Sequence, residues 1–597
     1  MCGIFGLYSK KNILDDVKIK EISNVVLKSL NHRGPDDNGS VYLDDKMLFC
    51  HTRLSIIDIN NGKQPMKSKT GNTIIFNGEI VNFKELKSKL QNEGERFQTN
   101  SDTEVILKLY EKYNHDLLKY IKGMFAIAIW NSKKKELFLA RDHTGIKPFY
   151  YMQNKDEFYF SSEFLAFKDL NKFKNFSFLP NKKLFNEYLI FGNFAYENTL
   201  YQNIFMLPPG HYLKYRDGKV IEKKKYWEHT LQSKSNNSVN FGSEIDIINY
   251  LKKLIQNIFT EWSVSDVPMS ILLSSGLDSN LINIVLKKSN KDLTKYCVIF
   301  PDNKDLINEK EILKNKFDIE IAQDQTIEIF EKDIPDNLEK LIKHMRYPLQ
   351  NFNSITMMKI CDHIKKHSGN KVLFTGDGAD ELFGGYKRHF DISEKYFKNK
   401  NPYDLILGNN FLTIERMKLF NKNKISLEFD ERLKIFENLK NEEIGNKVLE
   451  FDQKSFLPGY LDRADKIGMM FNQEIRVPFC DDRIVNFANK IPWNMKINDG
   501  TFKKILKKVA ECFLPKDLVW TKTKYKFNLP IYSSFNNGKL SSMYKDLINK
   551  NSKISSYYDY NGLLKLLSLH QNEFETPNDH SNTLSRILSL EIWLRNY

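Results

Sequence analysis

The hydrophobic pattern of this 597-residue chain changes its period near residue 244, and that change bounds every fold it can adopt. Before it, apolar residues come in short segments bounded by turns. Examples are Thr73-Ile74-Ile75-Phe76, Met124-Phe125-Ala126-Ile127-Ala128-Ile129-Trp130 and Glu136-Leu137-Phe138-Leu139-Ala140. Their β-branched and aromatic enrichment predicts strands, with helices over about 17–30 and 103–113, and hence a layered, strand-rich α+β unit. After it, Ile245, Ile248, Leu251, Leu254, Ile255 and Ile258 recur at helical spacing. Strand-like runs at 269–273, 296–300 and 372–374 then alternate with helical stretches at 281–286 and about 355–366, which predicts a parallel α/β sheet with helical additions. The Lys/Asn/Phe-rich stretch from about 390 to 450 reads as helical.

A chain of this length exceeds one hydrophobic core. Leu207-Pro208-Pro209-Gly210 punctuates the end of the first half, and Ser233-Lys234-Ser235-Asn236-Asn237-Ser238 is polar and without periodicity. The expected organisation is a domain over 1–215, a linker over 216–240 and a second domain over 241–597.

The formal charge of +15 raises the question of a polyanion partner. The lysines are interleaved with Asp, Glu and Asn, as in Asn303-Lys304-Asp305, so a solvated basic surface is expected and nucleic acid is not. No apolar run reaches the length of a membrane span and the N-terminus has no signal-peptide pattern, so neither a membrane nor secretion is expected, and the location is read as cytoplasmic. Six scattered cysteines without a CxxC pair argue against a disulfide framework and against a cysteine zinc site.

One cysteine stands apart. Cys2 follows the initiator methionine, and removal of Met1 would give one residue both a thiol and a free α-amine. With a pKa of roughly 7.7–8, that amine can act as a base near neutrality, accepting the thiol proton and returning it to a leaving amine. Read alone, Cys2 is as well explained as a chance cysteine at a chain terminus.

Three further segments supply what a thiol attacking an amide needs. Asn77-Gly78-Glu79 follows a strand, so a side-chain amide and a glycine N–H can meet one oxygen, although Asn-Gly alone is a turn signature. Arg53, in His51-Thr52-Arg53-Leu54-Ser55, suits a carboxylate. Asp102, in Ser101-Asp102-Thr103-Glu104, can cap a helix or bind an ammonium, and capping is the simpler reading.

Together with His32-Arg33-Gly34-Pro35-Asp36 and Arg141-Asp142-His143-Thr144-Gly145-Ile146-Lys147-Pro148, these segments resemble the class II glutamine amidotransferases in kind and order. The resemblance implies an N-terminal-nucleophile layered sandwich in which Cys2 attacks glutamine, forms a γ-glutamyl thioester and releases ammonia. It implies that Arg53 and Asp102 hold the glutamine α-carboxylate and α-amine, with Glu79 beside them, and that Asn77 and Gly78 form the oxyanion hole.

In the second half, a strand runs into Leu273-Ser274-Ser275-Gly276-Leu277-Asp278-Ser279, and helical spacing resumes at Leu281. A small-residue turn entering a helix N-terminus presents backbone N–H groups to an anion, and the absence of a Gly-Lys-Ser/Thr ending argues against a Walker A loop. A second strand ends in Thr375-Gly376-Asp377-Gly378-Ala379-Asp380-Glu381, with carboxylates suited to Mg2+ on a polyphosphate. With Leu461-Asp462-Arg463-Ala464-Asp465-Lys466, Glu474-Ile475-Arg476-Val477-Pro478-Phe479 and Lys503-Lys504-Ile505-Leu506, the chain resembles the glutamine-hydrolysing asparagine synthetase family nearly end to end.

That resemblance implies an ATP-pyrophosphatase-type α/β domain. In it an acceptor carboxylate attacks the ATP α-phosphate, and ammonia arriving through an internal apolar passage displaces AMP from the acyl-adenylate, leaving AMP, pyrophosphate and glutamate as co-products. By motif, the 273–279 segment, Ile299, Thr375 and Gly376 would bind ATP; Asp278 and Asp380 would bind Mg2+. Lys503 would stabilise developing charge, and Asp377 and Asn353 would meet the acceptor. Aspartate is the favoured acceptor, with another acid such as a sugar acid as the alternative, and a non-catalytic homologue as an alternative of another class. The family also admits a homodimer. The chain departs from the family pattern at Ser275, where a glycine is usual, at Asp377, where glutamate is common, and at Asn351-Phe352-Asn353, where one branch carries Thr-Ile-Arg.

Overall fold

Strands follow one another with little helix between them through the first half: β1 (Gly3–Ser9), β2 (Asp37–Leu43), β3 (Met47–Arg53), β4 (Met66–Lys67), β5 (Asn72–Ile80), β6 (Gly123–Asn131), β7 (Glu136–Arg141), β8 (Tyr150–Gln153), β9 (Glu157–Ser161), β10 (Phe205–Met206), β11 (His211–Arg216) and β12 (Lys219–Lys225). The computed structural model describes residues 2–11, 15–174, 176–195, 197–228, 243–302, 308–399, 417–421, 430–520, 529, 531–572 and 579–596.

These strands form two six-stranded antiparallel sheets, ordered β10-β8-β9-β1-β3-β2 and β12-β11-β7-β6-β5-β4. The strand period of two gives each sheet two apolar faces. Ile4 and Tyr8 of β1, Phe49 of β3, Ile75 of β5, and Ala126, Ala128 and Trp130 of β6 share one buried cluster, the layer between the sheets. Phe5 and Leu7 instead pack outward with Ile22, Val26 and Leu30 of α1 (Asp16–Leu30), and Ile74 and Phe76 with Val105 and Leu109 of α2 (Asp102–Tyr113). The result is a helix–sheet–sheet–helix sandwich, the N-terminal-nucleophile layering expected.

One expectation needs correcting. The stretch 216–240 was expected to link the halves, but Lys219–Lys225 forms β12, paired along its length with β11. Its Val-Ile-Glu-Lys-Lys-Lys sequence reads as polar connection because this strand lies at the sheet edge with most side chains in solvent, where lysines also discourage pairing with other chains. The segment 233–238 lies outside the described residues.

The second half opens with α3 (Glu244–Trp262), capped by Ser243 in a reciprocal box with Asp246. Then come β13 (Met269–Leu272), α4 (Leu277–Lys288), β14 (Thr294–Ile299), β15 (Thr326–Glu328), α5 (Asn353–His367), β16 (Val372–Phe374), α6 (Leu457–Met470), β17 (Glu474–Arg476) and α7 (Lys504–Ala510). The sheet is wholly parallel in the order β15-β14-β13-β16-β17. The chain steps from β13 to β14 and β15 on one side and later returns to β16 on the other. The carboxyl ends of β13 and β16 therefore border a topological switch point, where parallel α/β sheets bind ligands.

Candidate active sites

Cys2 immediately precedes β1 and is 7% exposed. Its N–H donates to Asn77 Oδ1 at 3.0 Å, and its carbonyl accepts from Arg33 Nε at 3.0 Å. Asn77 is fully buried on β5, and with its oxygen turned to Cys2 its Nδ2 has no protein partner among the described residues. A buried amide N–H left unspent beside a thiol is what an oxyanion donor requires. At Gly78 a Cβ would lie 2.1 Å from the Met124 carbonyl, so only glycine fits.

Ser101 takes the cap of α2, its hydroxyl accepting from Thr103 N–H at 3.1 Å. That overturns the capping reading of Asp102, whose Oδ2 accepts instead from Ile80 N–H at 3.1 Å beside Asn77-Gly78-Glu79. Burial pushes the Asp102 carboxyl up to about 6 against the backbone N–H groups that favour its charge. Burial and the Asp102 charge also push Glu79 up, opposed by Arg476. Arg53 is clamped by the carbonyls of Ile57, Asp58 and Ile59 at 2.8–3.0 Å. Burial raises the Cys2 thiol, while the positive N-terminus and Arg53 draw it down. The five residues predicted around Cys2 are thus one cluster. His51 cannot serve it as a base at neutral pH, because burial holds its imidazole down at about 3.

At the switch point the loop after β13 folds onto the first turn of α4. Ser274 N–H donates to Ser279 Oγ at 3.2 Å, Gly276 N–H to Ser274 Oγ at 3.2 Å, and Asn280 Nδ2 to the carbonyls of Ser274 and Gly276 at 2.8 Å. Ser275, the departure from the family loop, donates its N–H to Glu309. The loop after β16 closes the other side, with Gly376 so near that a Cβ would lie 2.9 Å from Asp278 Cβ. Lys503 Nζ joins the two expected metal ligands, at 2.5 Å from Asp278 Oδ2 and 2.6 Å from Asp380 Oδ1. Burial works against its charge, yet the two carboxylates hold it above the ordinary lysine value.

Other predicted residues lie farther out. Asp377 accepts from Thr375 Oγ1 at 2.7 Å. Leu273 and Leu277 flank the loop, and Ile299 ends β14 beside it. Asn353 opens α5 next to Ser354, which lines a cavity between the two halves, rather than joining the lysine–carboxylate cluster. Among the described residues no group of three or more His, Cys, Asp or Glu could hold a metal. Two carboxylates still fit Mg2+, which commonly takes one or two from protein and the remainder from phosphate and water.

Arg33 and Arg476 stand in the motifs above with no role implied for them. Arg33 ties Cys2 to the second half through Asp465 at 2.7 Å, with Glu163 at 2.6 Å on its other nitrogen. Arg476, fully buried, pairs with Glu474 at 2.6 Å and lies 3.7 Å from Glu79, while its carbonyl accepts from Thr375 N–H at 3.0 Å. No local pattern could have reported such contacts. Glu309, which holds the Ser275 N–H, carried no sequence signal at all.

Residues 1–227 match the family model for a glutamine amidotransferase domain, and residues 251–595 match that for asparagine synthase. This chain belongs to the asparagine synthase family. Among its relatives, glutamine-hydrolyzing asparagine synthetase 3 of Bacillus subtilis is 29% identical over 607 residues, covering 97% of this chain and 95% of that protein. Asparagine synthetase B of Escherichia coli is 26% identical, covering 87% and 81%. A putative asparagine synthetase 2 of Methanocaldococcus jannaschii is 32% identical over 427 residues, covering 67% and 79%. A solved glutamine phosphoribosylpyrophosphate amidotransferase from B. subtilis is 16% identical and covers 62% of this chain and 81% of that one, at a TM-score of 0.29, too low to bear on the fold. Among the described residues no helix is long and apolar enough to cross a membrane.

Proposed function

We propose that this protein amidates a carboxylic acid at the expense of ATP, with ammonia drawn from glutamine and aspartate as the acceptor. Two domains do the work, the first ending within residues 216–240. Cys2, with its α-amine released by loss of Met1, attacks the glutamine side-chain amide. The amine accepts the thiol proton and passes it to departing ammonia, while Asn77 Nδ2 and Gly78 N–H receive the oxyanion. Arg53 and Asp102 grip the glutamine backbone groups, with Glu79 nearby. Water then releases glutamate from the thioester.

At the second centre the 274–279 loop and the N-terminus of α4 cradle the ATP phosphates. Asp278 and Asp380 would hold Mg2+, which supplies charge neutralisation on the polyphosphate. The acceptor carboxylate attacks the α-phosphate, pyrophosphate leaves, and ammonia displaces AMP from the acyl-adenylate. Lys503, already poised between two carboxylates, offsets the charge that gathers there.

The observation that carries this reading is the unspent Asn77 amide above Cys2, in the same molecule as the Lys503-bridged carboxylates. The relatives' names favour aspartate. The test is pyrophosphate release with ATP, Mg2+ and glutamine, scanned across carboxylic acids. Aspartate-dependent release is expected; release only with some other acid would displace aspartate, and release with none would overturn the reaction.

A further inference from the structure

A cavity of about 170 Å3 opens at the seam of the two halves, walled by Arg141 and Asn193 from the first and by Gln350, Ser354, Ser455 and Arg463 from the second. Its walls leave hydrogen-bonding capacity unspent. Both amide atoms of Gln350, the hydroxyls of Ser354 and Ser455, and Nε of Arg463 have no protein partner among the described residues. Yet Gln350, Ser354 and Ser455 are only 7%, 0% and 2% exposed. A buried donor or acceptor without a partner is destabilising, so several around one space call for a polar occupant.

One wall residue links the cavity to the adenylating centre. Gln453, on its wall, donates to the Glu381 carbonyl at 3.1 Å, one residue from the Asp380 that holds Lys503. Ser354 lies in the first turn of α5, which enters from the carboxyl edge of the sheet and leads to β16. On α6, Tyr460 precedes Arg463 by three residues, and its hydroxyl feels the charges of both Glu381 and Arg463. The Arg463 guanidinium is steadied from the same side by Asn351 Oδ1 at 3.1 Å.

We infer that this cavity receives the end of the acceptor remote from the carboxylate being amidated, and that Gln350, Ser354 and Arg463 select it. The acceptor class follows from the wall: an acid carrying, beyond its reacting carboxylate, an acceptor for the Arg463 N–H and a polar group that pairs with an amide. Aspartate meets that description through its second carboxylate and ammonium, and a sugar acid through its hydroxyls. The inference rests on the amidation reading above and places a wall of the glutaminase half within reach of acceptor choice.

Gln350→Leu tests it, because the substitution keeps the shape and removes an unpaired buried amide. The variant should melt no lower than wild type. Its KM for the acceptor, measured with L-aspartate and with D-glucuronate, should rise about tenfold or more, while its KM values for glutamine and ATP stay within about twofold. Whichever acid is used should also raise the wild-type melting temperature and fail to raise that of the variant. A cavity filled by water alone would leave the acceptor KM unchanged, which overturns the inference, as would three KM values rising together. If wild type releases no pyrophosphate but is stabilised by one acid through Gln350, the cavity site stands and the amidation reading falls. If neither acid acts in either assay, the inference falls, while the amidation reading falls only if no acid in the wider scan releases pyrophosphate.

Discussion

Asp102 shows how far one side chain's role depends on its neighbour. In the sequence it competes with Ser101 for the cap of α2, and only the folded chain reveals that Ser101 takes it, leaving Asp102 turned toward Ile80 and the Cys2 cluster. Its carboxyl sits at about 6, above the ordinary 3.8, so it is largely neutral below that pH and charged above it. Only the charged form pairs with an ammonium. The KM for glutamine hydrolysis should therefore fall as pH rises through about 6, a step that Asp102→Asn should abolish while raising KM about tenfold or more. Steady-state glutaminase assays from pH 5 to 8 decide this, and a step persisting in the variant would assign it elsewhere. The sign for stability is opposite. The folded state holds this proton up to about 6 and the unfolded state only to about 4, so the Asp102 contribution to stability declines across that interval as pH rises. The meeting of Asn77 with Cys2 and of Lys503 with Asp278 was legible because each stands in a motif whose chemistry has a local signature. Arg33 was not, because its partner Asp465 lies 432 residues away in sequence.

At the scale of elements, the change of hydrophobic period was enough to separate two antiparallel sheets from a parallel one. It also foretold β5, β6, β7, α3 and β16, since the strands are short apolar runs buried on both faces and α3 buries one periodic apolar face. β12 escaped it, because an exposed edge strand buries almost nothing and so leaves no apolar trace. The loop after β16 shows why its glycines crowd together. A Cβ on Gly385 would lie 1.5 Å from Asp380 Oδ1 and 2.3 Å from Lys503 Cε. Gly385→Ala should thus push Asp380 and Lys503 apart and lower pyrophosphate release by about a hundredfold or more, on the scale of losing a main electrostatic contact. Glutamine hydrolysis at Cys2 should be spared. Equal loss of both activities would mean that the substitution acts on the whole fold.

Across the whole molecule, buried charges lock the two halves together. Arg33 reaches from Cys2 to Asp465 on α6, Lys147 meets the same carboxylate at 3.3 Å, and Arg476 joins Glu79 of the first half to the Thr375 loop of the second. Removing charges of this kind from water is unfavourable, so their concentration at one seam points to coupling of the centres rather than to stability alone. Under the proposed reaction that coupling has a chemical purpose: in water near neutral pH ammonia is mostly ammonium, which is no nucleophile, and a route along the seam sheltered from water would keep it neutral. The most direct measurement is amide and pyrophosphate formation by wild type and Cys2→Ala, supplied in turn with glutamine and with ammonium salt. The account predicts that Cys2→Ala loses product formation from glutamine and keeps it from ammonia. Loss of both, or survival of both, would contradict it.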